Sequence, residues 1–368
     1  MAGKGILAVN SIFKASMRMD DWTRLDRDTL RALDMCSKEE IFLNFVQNCN
    51  FLKSKRKRIE LHTLIDDDFY HLTQFSSTEI SQISKLLGLP NTIVTPSRYI
   101  FTKEEAFFLL CCRFSWPNRL KTLELLLGYS SSMISECVNW ISKFIYNNWD
   151  FVLQDFSSNL LSSSRLSQFS KVVNRRTKAL TNCWGFLDCT IKGICQPVVW
   201  QHSLYSGHKK FHAVKYSAVK APDGVIYHLF GLYEGRRNDN ALLKDSGLLE
   251  RCIKSAPEFC LYGDPAYPIS SVLLSPFPRL DITPDELNFN KAMSSAQECV
   301  EWGFADIVRL WGFLDYSISH KILHSPVGVH YRIGVFLTNI HICIYGSETS
   351  IYFNCAPPTL EEYLTPKI

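Results

Sequence analysis

The spacing of hydrophobic and polar positions changes character near residue 180 of this 368-residue chain. Before that point, apolar residues recur at helical spacing. Thr102 and Glu105 form the T-x-x-E pattern of a capping box, which predicts a helix start followed by an apolar stretch buried on most sides. The pattern predicts two further helices, at residues 118–127 and from the serines at 130–132 to about Trp149. The N-terminal region is therefore expected to be all-α.

A short helix, a glycine turn and a capped longer helix are together typical of a helix-turn-helix. An αα-hairpin that never meets DNA has the same sequence form, so both interpretations stay open. The third helix carries Lys143 as its only base beside Glu136, which is weak equipment for reading a DNA groove.

From Trp184 the pattern indicates strands and short helices. A strand over residues 184–187 leads into Asp188, and a Pro-Asp-Gly turn at 222–224 joins strands at 209–219 and 225–233 into a hairpin. A short helix over 239–249, a strand over 259–262 and a long helix from near Ser294 follow. This order predicts an α/β fold with a sheet of mixed direction. The serine-rich residues 157–170 are expected to be a linker or surface loop.

Charge distribution is more informative than total charge, because 40 basic residues nearly balance 36 acidic ones and the net charge is only +4. Asp188 is the sole acidic residue between Ser157 and Pro222, a stretch with ten lysines and arginines. A second basic run, residues 53–58, is typical of a nuclear-import or phosphate-contacting tract, or else of a solvated helix face.

The thirteen cysteines include no C-x-x-C pair, so the sequence predicts neither a disulfide framework nor a zinc site, and a reducing compartment is expected. We find no signal peptide and no apolar run near the ~20 residues that span a bilayer, which favours the nucleus or cytoplasm and no membrane association.

Two aspartates, Asp188 and Asp264, end predicted strands, where an α/β sheet binds ligands, and Glu301 lies on the helix that follows. Converging carboxylates repel one another and stay ionised when a cation lies between them. Oxygen ligands select Mg²⁺ or Mn²⁺, and two such ions ~4 Å apart support in-line displacement at a phosphodiester. The surrounding bases would hold a DNA backbone.

Each acid also has a purely structural interpretation. Asp188 and Asp264 are also suited to forming or capping turns, and helix N-capping is the default explanation for Asp239. Of Glu298 and Glu301, one is expected to be solvated, and the sequence does not decide which.

The ordered series of motifs resembles the nuclease domain of PIF/Harbinger-type transposases, a branch of the acidic-triad (DDE) superfamily, and the harbinger-transposase-derived nucleases. The resemblance extends over residues 184–339 and is carried by the following segments: Phe186–Thr190, Tyr205–His212, Pro222–Gly224, Gly235–Asp239, Gly263–Pro268, Phe289-Asn290, Val300-Glu301, Gly303-Phe304 and Leu337–Asn339. Residues 69–149 are similar to the helical region that precedes this domain in relatives.

The resemblance implies an α/β RNase H-like nuclease core, a mixed sheet with flanking helices, preceded by the all-α helix-turn-helix-like region. It implies that Asp188, Asp264 and Glu301 are the catalytic triad, with a separation of 37 positions from Asp264 to Glu301. Asp239 would join them in binding two divalent ions, Mg or Mn. The implied DNA-binding residues are Lys192, Tyr205, His208, Lys209, Lys210, Arg236 and Arg237.

Three departures from the family pattern accompany the resemblance: Cys189 where glycine is usual, Gln297 where arginine is usual, and Pro265-Ala266 after Gly-Asp. They remove no carboxylate, although Gln297 puts a DNA or phosphate contact in doubt.

The predicted domains are a variable helical and basic segment (1–68), a helix-turn-helix-like domain (69–155), a basic linker (156–183), a DDE endonuclease domain (184–342) and a C-terminal tail (343–368). The expected function is a nuclear, metal-dependent DNA endonuclease or transposase acting on double-stranded DNA. Relatives imply a Myb-like DNA-binding partner, and a homo-oligomer is a further expectation.

The alternative is a domesticated, catalytically silent descendant that binds DNA or protein. A hydrolase of small phosphate esters is disfavoured, because the basic stretch is too extended for a small substrate.

Overall fold

The computed structural model describes residues 58–117, 119–154, 156 and 159–365. The described residues of 59–124 and 129–365 form one compact unit. All but the last residue of the basic run 53–58 lies outside the described residues, and the domain boundaries stay predictions.

The region before residue 150 is helical, as predicted, apart from a small hairpin. Thr102 Oγ1 accepts a hydrogen bond from the Glu105 amide (3.1 Å) while the Glu105 carboxylate accepts one from the Thr102 amide (2.8 Å), so the predicted capping box is present. Ser130 caps the last helix of the region. The elements are α1 (Asp66–Thr73), α2 (Ser77–Leu86), β1 (Thr92–Val94), β2 (Ile100–Thr102), α3 (Lys103–Ser115), α4 (Leu120–Leu127) and α5 (Ser131–Trp149). The helix-turn-helix assignment remains a prediction.

The serine-rich segment forms a helix, α6 (Ser163–Thr177), so the prediction of a linker or loop is wrong there. Ser162 accepts a hydrogen bond from the Arg165 amide and caps the helix, which is the role that serine favours at a helix start. Behind it, Leu166, Phe169 and Val173 are buried at helical spacing, and α6 packs against the first strand of the main sheet.

The main sheet mixes antiparallel and parallel pairs in the spatial order β6-β5-β3-β7-β8, with β4 on the start of β5. Antiparallel pairing joins β3 to β5 and β5 to β6, whereas β3, β7 and β8 are parallel. Its elements are β3 (Cys183–Gly193), α7 (Gln201–Leu204), β4 (Tyr205–Ser206), β5 (Phe211–Lys220), β6 (Ile226–Glu234), α8 (Asp239–Ser246), α9 (Leu248–Ser255), β7 (Cys260–Gly263) and β8 (Leu273–Leu274). A mixed sheet with flanking helices is compatible with an RNase H-like core.

Four helices follow the sheet: α10 (Pro284–Leu310), α11 (Val327–Tyr345), α12 (Glu348–Phe353) and α13 (Leu360–Tyr363). The start predicted for α10, near Ser294, is ten residues too late. Thr283 and Glu286 form a capping box there, with Pro284 at the first helical position.

Helix α11 has 19 residues and a mean hydropathy of 1.2, so it is long and apolar enough to cross a membrane. The expectation that no such run exists was therefore wrong. Most of this helix is buried in the interior, which explains its apolar composition as that of a core helix. In its middle, the Asn339 side chain accepts a hydrogen bond from the Ile226 amide (3.0 Å) and donates one to the Ile226 carbonyl (2.8 Å), pairing with the start of β6 as a strand would.

Candidate active site

Asp188 and Asp264 lie at the same level of the sheet, where two neighbouring strands stop pairing. The parallel pairing of β3 with β7 ends at Leu187 and Gly263, and each aspartate is the next residue along the chain. Neighbouring strands lie ~4.8 Å apart, so the two backbones are adjacent here. The prediction that Asp188 ends its strand is wrong. Because β3 continues to pair with β5, Asp188 lies within β3, opposite Ala218.

Helix α10 carries the third acid toward this pair. Gln297 donates a hydrogen bond to Asp264 (Nε2 to Oδ1, 2.5 Å), and Glu301 follows it by four residues, on the same face of the helix. Glu301 is close enough to Asp188 to raise the pKa of that carboxyl. Glu298 lies about 100° around the helix from Gln297. The geometry therefore favours Glu301 over Glu298 as the inward acid, and Gln297 contacts a carboxylate.

Asp239 is not the helix cap that sequence reasoning made its default role. Asn238 caps α8, with its side chain accepting a hydrogen bond from the Ala241 amide (2.9 Å). Asp239 is the first helical residue, and its carboxylate pairs with Lys215 (2.8 Å). It contributes to the raised pKa values of Asp188 and Asp264, so it belongs to the same acidic group.

The site strongly disfavours ionisation of Asp188. Burial, then the charges of Asp264, Glu301 and Asp239, raise its pKa from 3.8 to about 7, although the Cys189 amide donates to Oδ1 at 2.7 Å and opposes the rise. Burial and Asp239 also raise the pKa of Asp264, against the hydrogen bond from Gln297. Mutual repulsion of this kind is relieved by a bound cation.

The donor set, four carboxylates, suits a hard divalent cation such as Mg²⁺ or Mn²⁺. Across the described residues, however, no three side chains of His, Cys, Asp or Glu are gathered closely enough to hold a metal ion. The acids are near enough to interact electrostatically, and side-chain rotations would have to bring their oxygens together. The metal-binding set remains a prediction with suitable ligand chemistry.

Tyr267 ties the loop after β7 to β3 beside both aspartates. Its hydroxyl lies 3.0 Å from Cys189 Sγ, and its amide donates to the Asp264 carbonyl (3.0 Å). A Cβ on Gly263 would lie 2.7 Å from the tyrosine ring, so the glycine makes this packing possible. The sequence marks Cys189 as a departure from the family pattern but gives no sign of its contact with Tyr267. The two residues are 78 positions apart, so the contact leaves no local pattern.

Most of the predicted DNA-binding residues lie on one surface, which we call the basic surface: Tyr205, His208, Lys209, Lys210, Arg236 and Arg237, with His202. All seven are exposed. The Arg236 amide donates to the Ser203 carbonyl (3.2 Å), and Arg236 Nη1 lies 2.8 Å from the His202 ring nitrogens.

Gly235 allows this contact between loops, because a Cβ there would lie 2.4 Å from the Ala213 carbonyl oxygen. Lys215, which sequence reasoning counted only among the bases, connects the basic surface to the acids. Its ammonium donates to the Arg237 carbonyl (2.7 Å) and to Asp239.

Lys192 does not join this surface. It lies on β3, four residues beyond Asp188 and on the same face of the sheet, with its ammonium 5.8 Å from the centre of the Tyr331 ring.

Comparison with known proteins identifies the domain in general terms. Residues 187–339 match the DDE superfamily endonuclease family, a segment that begins at the residue before Asp188 and ends at Asn339. The match supports a transposase-type nuclease domain.

Guanylyl cyclase C of Rattus norvegicus is 32% identical over 74 residues, which are 20% of this chain and 7% of that protein. The chain therefore spans a small part of that relative, and the similarity carries no functional argument. No solved structure matches.

Proposed function

We propose that the protein is a metal-dependent DNA endonuclease of the PIF/Harbinger transposase type, which cleaves phosphodiester bonds by two-metal in-line displacement. The observation that carries the proposal is the position of Asp188 and Asp264 directly after the last β3–β7 pair, with Glu301 and Asp239 close enough to raise the pKa of Asp188. The family match over residues 187–339 supports the general nuclease assignment. The motif series in the sequence supports the PIF/Harbinger subtype.

The four carboxylates would hold the ions, which when bound polarise the attacking water and the scissile phosphate. Asp188 has to lose its proton to act as a ligand, and its pKa near 7 means that this happens close to neutral pH. The basic surface would hold the DNA backbone through phosphate contacts. The Lys215 ammonium donates both to the Arg237 carbonyl and to Asp239, so it joins the backbone of the basic surface to the acids.

The proposal includes double-stranded DNA as substrate and the nucleus as location, because the basic run 53–58 suits an import signal. A Myb-like partner would supply DNA-binding specificity that the weakly basic α5 lacks. Assembly into a homo-oligomer is part of the same proposal.

Incubation of the full chain with supercoiled plasmid and Mn²⁺ tests the enzymatic assignment. The wild type is expected to nick the plasmid, whereas Asp188→Ala and the metal-free wild type are expected to leave it intact. Activity in Asp188→Ala equal to that of the wild type would refute the assignment.

One observation favours the alternative, a silent DNA-binding descendant: Lys215 already neutralises Asp239, and no three described acids are gathered as a ready metal site. In that case the wild type would bind duplex DNA without cleaving it in Mn²⁺ or Mg²⁺. Calorimetric titration with Mn²⁺ separates the two functions, since the silent protein would release no heat beyond that of Asp188→Ala.

A further inference from the structure

A groove beside the basic surface has no part in the function proposed above. One wall is formed by residues 195–199, which connect β3 to α7, and the other by residues 321–324, which precede α11. The Cys195 amide donates to the His320 carbonyl (3.0 Å) and joins the two walls. The groove has a volume of about 490 Å³, within the range of small-ligand sites.

The groove is apolar inside and basic at its rim. Val198 is 88% exposed and Leu323 is 69% exposed, so two large apolar side chains are left open to water. Lys321 and His324 border them, and no acidic side chain lines the groove, whose residues all belong to the described part of the chain. An occupant with an apolar face and a nearby negative charge complements this lining.

Trp200 directly follows the segment that forms the first wall. Its side chain is 60% exposed and its backbone is left-handed, with φ +59°, a conformation that is an outlier for a bulky residue. Such strain persists where the surrounding structure fixes it, which is often at binding sites. Trp200 directly precedes α7, which carries His202 of the basic surface, so an exposed indole lies beside that surface in the chain.

We propose that this groove and Trp200 bind an unpaired base of the DNA substrate. An aromatic side chain stacks on a base only when the π-face of that base is free, and a fully paired base within a duplex exposes only its edges. The basic surface would hold the flanking phosphates while the base leaves the stack. The inference rests on the proposed function and specifies the form of DNA that the protein prefers: a duplex with an unpaired base to one side of the site of cleavage.

The length of β3 separates the groove from the acids along the chain. Gly193, at the end of β3, is five residues beyond Asp188, which is about 17 Å along a strand. Stacked nucleotides rise ~3.4 Å each, so this distance corresponds to about five nucleotides. The unpaired base is therefore expected about five or more positions from the scissile phosphate.

The test compares two duplexes that differ only in a single extra 2-aminopurine, which is unpaired in one duplex and absent from the fully paired one. Affinity is measured by fluorescence anisotropy in EDTA, so that no cleavage occurs, and stacking is measured by quenching of the 2-aminopurine. The wild type is expected to bind the bulged duplex about tenfold more tightly than the paired one, with quenching.

Trp200→Ala and the uncharged substitution Val198→Ser are expected to lose this preference, while both keep the affinity for the paired duplex within about twofold. Trp200→Phe, which keeps an aromatic ring, retains most of the preference. Tyr146→Ala is the matched control, because Tyr146 is also an exposed aromatic residue but lies on α5. It should behave as the wild type does.

Equal preference for the bulged duplex in the wild type and Trp200→Ala would overturn the inference while leaving the proposed function intact. The same loss in Tyr146→Ala would also overturn it. If Trp200→Ala instead turned a dimer into a monomer on size exclusion, with DNA preference unchanged, a second copy of the chain would be the occupant. A wild type that bound neither duplex would count against the proposed function itself.

Discussion

Asp188→Asn should stabilise the metal-free protein at pH 8. Asp188 has a pKa of about 7 in the folded chain and 3.8 when unperturbed, so between about pH 4 and pH 7 the folded state binds the extra proton. The free energy of unfolding of the wild type therefore falls as pH rises through this window. Asparagine keeps the oxygen that accepts from the Cys189 amide but carries no charge.

The magnitude follows from the two pKa values. At about 1.4 kcal/mol per pKa unit, the cost of burying the charge of Asp188 beside the other acids grows by at most about 2.5 kcal/mol between pH 5 and pH 8. Relative to the wild type, Asp188→Asn should gain up to that amount of stability over the same range. Added Mn²⁺ should offset about 2.7 kcal/mol of the difference at pH 8, because a ligand at a hundred times its Kd stabilises the folded wild type by about that amount.

The assay is urea unfolding followed by tryptophan fluorescence at pH 5 and pH 8, with EDTA or with Mn²⁺. Asp285→Asn is the control, since Asp285 is an exposed acid in the first turn of α10. A stability difference between Asp188→Asn and the wild type that did not change with pH would show that the charge of Asp188 does not oppose folding. An equal response of both proteins to Mn²⁺ would remove Asp188 from the metal site.

Three further substitutions test the geometry. Glu301→Gln should lower Mn²⁺-dependent plasmid cleavage about a hundredfold, whereas Glu298→Gln should leave it within about twofold, because only Glu301 shares the face of α10 that meets Asp264. Gly235→Ala should weaken duplex binding and destabilise the fold by about 1–3 kcal/mol, since its Cβ would lie 2.4 Å from a carbonyl oxygen, while Gly207→Ala, with no atom within 4 Å of the new Cβ, should change neither. Asn339→Leu should lower the unfolding free energy by about 2–5 kcal/mol in urea unfolding, because it leaves the amide and carbonyl of the buried Ile226 unpaired.

Each of these has a clear contrary result. Equal cleavage rates for Glu301→Gln and Glu298→Gln would contradict the assignment of Glu301 alone to the site. A Gly235→Ala variant that bound DNA like Gly207→Ala would separate the loop from the basic surface. Asn339→Leu with unchanged unfolding would mean that the amide does not support β6.

The local elements followed from the sequence because their signals are local. The Thr102 capping box, the Pro-Asp-Gly turn at 222–224 and the alternation along β5 each depend on residues within one or two turns of chain. Local signals also explain two wrong predictions. The capping box at Thr283 marks the true start of α10, and the serines at 162–164 begin α6 rather than a loop.

The acids Asp188, Asp264 and Glu301 were named from the sequence, since isolation in a basic stretch, strand ends and the family pattern pointed to them. The sequence did not determine how these three acids are arranged relative to one another. The register of β3 against β7 puts Asp188 beside Asp264, and the rotation of α10 favours Glu301 over Glu298.

The sequence alone thus determined most of the helices and strands around the site and the acids that carry its chemistry, because backbone propensity and turn geometry act over a few neighbouring residues. Only the tertiary structure decided that Asn238 rather than Asp239 caps α8, that Lys215 neutralises Asp239, and that Tyr267 reaches Cys189. Those contacts join residues far apart in the chain, and strand register and helix rotation, which local sequence does not encode, bring them together.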